Sequence, residues 1–132
     1  MLPVRGGEYA AETIFLNIVS WAEEHRERFA PSCRETTPPP GGWWGRWDVA
    51  KATSHLGIFM EPLKAQIWEE LLRRPDCGIE QVSEVLRLWG DLGLVKTSNG
   101  NPAWLIRTGD TTRRGVELSL LHAERLRQER TT

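Results

Sequence analysis

Charge is the chemistry this sequence offers most openly. Lys96, Arg107, Arg113 and Arg114 fall within a short stretch whose one intervening acid is Asp110. Cations so grouped suit phosphate neutralisation, and if each takes one phosphate, the log-log salt dependence of binding has a slope of about −3.6. Arg87 is a fifth candidate, on a helical segment whose other outward positions are Glu80, Ser83, Glu84 and Asp91. Carboxylates repel phosphates, although one can accept from cytosine N4. Other chemistry finds little support. No serine or cysteine sits in a nucleophile elbow, and the carboxylate pairs Glu23-Glu24 and Glu69-Glu70 read as solvated helix faces. His25 lies on an apolar stripe without a second ligand at metal spacing, so it reads as a hydrogen-bonded core histidine. Cys33 and Cys77 lack a CxxC or Cys/His partner and read as inert thiols of a reducing compartment. No enzyme, cofactor or metal is expected.

The elements that must position these cations run from Glu61 to Arg107. Pro62 suits a first helical turn, and Leu63, Ile67, Trp68, Leu71 and Leu72 recur at helical spacing. Pro75, Asp76 and Gly78 break that helix. A second follows with Ile79, Val82, Val85, Leu86, Trp89 and Leu92 on one face, ended by Gly93. Leu94 to Thr97 and Ala103 to Arg107 then flank Ser98-Asn99-Gly100-Asn101, and Asn-Gly between apolar runs predicts a hairpin. Helix, turn, helix and hairpin make a winged helix.

Upstream, Ile14, Phe15, Ile18, Trp21, Ala22, His25 and Phe29 predict a long amphipathic helix over 10–29. Residues 1–8 read as a tail or boundary, and residues 30–42, with three consecutive prolines and a Gly pair, as a surface loop. Trp43, Trp44 and Trp47 suit either a base-stacking platform or, preferably, a β-like segment folding that loop onto the core. Trp21, Trp68, Trp89 and Trp104 are expected in core packing. Leu56 to Met60 reads as a buried strand, residues 109–115 as a second turn, and Val116, Leu118 and Leu120 as a further strand. The fold class is therefore α+β, a winged helix-turn-helix domain over 9–120 with a long N-terminal helix, a hairpin wing and a polar, helix-prone tail over 121–132.

At 132 residues the chain suits one domain that buries roughly two-thirds of its unfolded surface. Its net charge of −1 places any nucleic-acid contact in a local patch. No signal peptide is seen and no apolar run approaches the roughly 20 residues that span a bilayer, so a cytoplasmic protein is expected.

Trp21, His25-Arg26 and Phe29, then Trp44-Gly45-Arg46-Trp47-Asp48, LGIFMEP and EQVSEVLRLWGDLGLV ahead of a polar hairpin, form an ordered set of short motifs. Over residues 14–119 the set resembles the C-terminal module of the helicase-like and primase-helicase proteins of phages, plasmids and other mobile elements. The resemblance implies a RecA-like ATPase preceding this module, and no GxxxxGK[ST] loop occurs here. It departs from the family in one respect, since there the second helix of the pair tends to be basic. Expected partners are DNA, held weakly and mainly by its backbone, or a replication protein or the ATPase itself. No membrane or small-molecule substrate is expected.

Overall fold

The computed structural model describes residues 6–34, 37–48, 55–109 and 111–131. The chain runs α1 (Gly6–Glu24), a single 3-10 turn (Arg26–Arg28), β1 (Phe29–Ala30), β2 (Gly45–Trp47), β3 (His55–Phe59), α2 (Met60–Leu72), α3 (Val82–Asp91), β4 (Trp104–Thr108), β5 (Thr111–Ser119) and α4 (Leu120–Thr131). The fold is α+β. One sheet has the order β1-β2-β3-β5-β4, antiparallel except for the short parallel pair β1 and β2.

The core lies between the helices and one face of this sheet. Leu56 and Ile58 of β3 stand opposite Leu118 and Val116 of β5, and strand alternation puts these four on a common face. They join Ile14, Phe15 and Ile18 of α1, Leu63 and Ile67 of α2 and Val85 and Trp89 of α3 in one buried cluster. On the other face the sheet curls. Ile106 of β4 lies across Gly57 and Gly115, and a Cβ added at Gly57 would come 2.9 Å from the Ile106 Cδ1. Two further links hold the curl at one rim: the Arg46 guanidinium donates to the Arg107 carbonyl at 2.9 Å, and the Gly109 N–H donates to the Cys33 carbonyl at 2.9 Å.

Several expectations need correction. Gly6 to Glu8 already belong to α1, which ends at Glu24 rather than Phe29. His25 leaves helical geometry at φ −117° and ψ 38°, and Phe29 is taken up by the sheet. Trp21, His25 and Phe29 nevertheless stay together around Trp44, which stacks on Trp21 with centroids 5.1 Å apart. His25 is half-buried beside the two stacked indoles rather than sealed in the core. Arg28 lies over Trp44 and donates to the Pro40 carbonyl, drawing the proline loop in, while β2 carries Trp47 into the core. Arg26 covers Trp47 at 3.7 Å; partial burial lowers its pKa from the ordinary arginine value, with Glu23 opposing.

On α2, Trp68 is 48% and Leu72 58% exposed, against the expectation of core packing for the tryptophan. At about 100° per residue, positions 63, 67, 70 and 71 cover the inward arc, and 68 and 72 fall roughly 60° and 100° beyond it. Glu70 occupies that arc instead. It is buried, not solvated: its carboxylate accepts from the Asn17 amide at 2.6 Å and faces Arg73 and Arg74 at 3.2 and 3.4 Å. The polar segment after Leu120 is helix α4, packed on α1 through Ala123 and through Arg127, which meets Glu23 at 2.6 Å.

Candidate nucleic-acid interface

The predicted wing has a different construction. Val95 bridges Leu118, and the Lys96 N–H donates to the Glu117 carbonyl at 3.0 Å. Trp104 stands opposite Gly115. Carrying the Val95–Leu118 register on by two residues sets position 97 opposite 116, so 94–97 and 104–108 run in line along the same strand, with 98–103 looped out between them. The two arms do not pair with each other. The tight turn itself forms: Asn99 and Gly100 have φ of 52° and 79°, and Ser98 and Asn101 exchange backbone hydrogen bonds. Pairing stops there because the Ala103 N–H turns to the Asn101 side-chain oxygen at 3.0 Å, while Lys96 is engaged by β5. Asn-Pro is a turn-initiating dipeptide, and at Asn101-Pro102 it carries this signal in the sequence. The second predicted turn shrinks likewise: Gly115 is a strand residue, and the pairing of β4 with β5 already begins at Thr108 and Thr111.

This construction disperses the predicted cations. Arg113 and Arg114 are consecutive on β5 and project from opposite faces. Arg113 lies 5.2 Å over the Phe59 ring and 3.8 Å from Glu61. Arg107 donates to the Gly109 carbonyl at 3.0 Å. Lys96 sits 4.1 Å over the Trp104 indole. Arg87 contacts Asp91 at 2.9 Å and Glu84 at 3.9 Å, so its charge is offset on its own helix. Glu80 is exposed in the approach to α3.

Arg114 is different. It borders two adjoining cavities that share it with Asn101 and Ala103. One, of about 350 Å³, is floored by Met60, Val82 and Leu86 and rimmed by Lys64, Ser83 and Arg87. The other, of about 570 Å³, is completed by Ser98, Trp104 and Leu105. Neither Lys64 nor Arg114 makes a side-chain hydrogen bond or ion pair among the described residues. The site thus joins α2, α3, the looped-out segment and β5. Lys64 has no signature in the sequence, because only the packing of α2 beside α3 brings it opposite Arg114.

No family model, curated protein or solved structure matches the chain. Among the described residues no three His, Cys, Asp or Glu side chains gather as a metal site, and no helix is long and apolar enough to cross a membrane.

Proposed function

We propose that this is a non-catalytic accessory domain of a helicase or primase-helicase type of replication protein, winged-helix-like in its order of elements, that holds the nucleic-acid backbone over the groove between Lys64 and Arg114. One observation supports it most: two cations without a side-chain hydrogen bond or ion pair among the described residues border a shared concave surface, flanked by Ser83 and Asn101 as further hydrogen-bonding groups. Lys96, exposed on its indole, is a third contact. The domain acts in the cytoplasm, where its two free thiols stay reduced.

Fluorescence anisotropy on a labelled oligonucleotide tests this. Three phosphate contacts give a log-log salt slope of about −2.7 on a duplex, so affinity falls roughly 40-fold between about 50 and 200 mM salt. Lys64→Ala with Arg114→Ala should reduce the slope to about −0.9. Absence of binding at about 50 mM salt, or an unchanged slope in the double variant, overturns the reading. A second reading, docking on the protein's own ATPase or a replication partner, is favoured by Trp68 and Leu72, an exposed apolar pair one turn apart on α2.

A further inference from the structure

The outward side of α2 carries Ala65, Trp68 and Leu72, all exposed, at the three-then-four spacing of a helix seam. At about 100° per residue these three lie within roughly 60° of arc. Lys64 falls roughly 70° to one side of the midline of that arc and Glu69 roughly 70° to the other. Both charges are exposed, and neither makes a side-chain hydrogen bond or ion pair among the described residues. The face is therefore an apolar stripe with a cation along one margin and an anion along the other. A partner helix of a single charge would satisfy one margin and oppose the other, whereas a copy of the same face meets both.

We infer that α2 pairs in parallel with α2 of a second copy of this chain, burying Trp68 and Leu72 across a two-fold axis. An interface of this symmetry uses the same patch on both subunits. In the parallel arrangement Lys64 of each copy flanks the seam beside Glu69 of the other, as charges bordering a coiled-coil seam do when they set orientation. An antiparallel pair would bring lysine margin to lysine margin and glutamate margin to glutamate margin. Glu61 heads the stripe with Arg113 at 3.8 Å, so where the two Glu61 carboxylates approach, each has a cation of its own beside it. Lys64 also borders the groove, and because an ammonium has three donors it can bond Glu69 and still face that groove. The two-fold axis then sets one groove on each side of the seam.

Sedimentation equilibrium on the whole chain, free of nucleic acid, tests the pairing at about 50 mM salt over roughly 1 to 500 µM protein. Two short helices bury less than the roughly 1,000 Å² of stable complexes, so the dimer should dissociate on dilution. The mass should rise with concentration from 15.1 kDa toward twice that value. Trp68→Ala should weaken the dimer about 10- to 30-fold. Lys64→Glu should weaken it too, and adding Glu69→Lys should restore it, because the flanking charges are then exchanged in sign. These side chains are exposed, so the variants keep the fold. A wild-type chain that stays at 15.1 kDa at every concentration overturns the pairing without need of a variant. A dimer that Trp68→Ala leaves intact overturns the choice of face, and one that Lys64→Glu leaves intact overturns the parallel orientation.

Discussion

The indole N–H of Trp89 donates to the carbonyl of Ala11 at 2.8 Å, joining α3 to α1 across 78 positions of sequence. The ring is fully buried and meets Phe15 edge-on, with centroids 5.5 Å apart at 81°. This contact fixes the helix that borders the groove to the longest helix of the fold. Trp89→Phe removes both the donor and part of the ring, and should destabilise the domain by about 2–4 kcal/mol. Urea unfolding will measure it; a loss well under about 1 kcal/mol would mean that α3 is anchored elsewhere.

Glu70 offers a contrast between buried and exposed charge. Its side chain is 4% exposed, and that of Arg73 is 67% exposed. Glu70→Ala takes the acceptor from the half-buried Asn17 amide and should cost about 1–3 kcal/mol. Arg73→Ala should cost under about 1 kcal/mol, because an exposed partner is screened by water. Equal losses in the two variants would contradict this.

The curl of the sheet predicts two different responses to an added methyl. At Gly57 the methyl meets the end of the Ile106 side chain at 2.9 Å, so Gly57→Ala should cost about 1 kcal/mol and recover with Ile106→Val. At Gly115 it meets the backbone carbonyl of Ile58 as well as Ile106. Gly115→Ala should therefore cost about 3 kcal/mol or more, and Ile106→Val should not restore it. Thermal midpoints of the four variants decide.

Asn101→Ala leaves the Ala103 N–H without its side-chain acceptor, a loss of about 1 kcal/mol. Hydrogen exchange should quicken at Ala103 and stay slow at Lys96, whose N–H is held by β5. Equal quickening at both would show that the looped segment and the edge strand open together.

Much of the fold was legible locally. The apolar stripes of α1, α2 and α3, the strand in LGIFM and the Asn-Gly turn all follow from periods and turn chemistry confined to a few residues. What escaped depends on distant partners. Nothing near Leu94 indicates that it will share β5 with Trp104, and nothing near Glu70 indicates Asn17, 53 positions away. Trp68 and Leu72 fitted a helical stripe, but a stripe cannot show which part of its arc the core covers. The candidate site follows the same division: Arg87 and Arg114 stood out as cations, while their grouping with Lys64, and the parting of Arg113 from Arg114, come from packing and strand alternation.

The interruption of the edge strand also separates two kinds of constraint. Because residues 94–97 and 104–108 are each held by β5, the sheet does not dictate the number or the kind of residues between them. Lengthening such a segment twofold adds only about 0.6 kcal/mol of closure entropy. The scaffold therefore provides a socket in which the chemistry beside Arg114 is exchangeable, so that closely similar frames can carry unlike recognition segments at this one position.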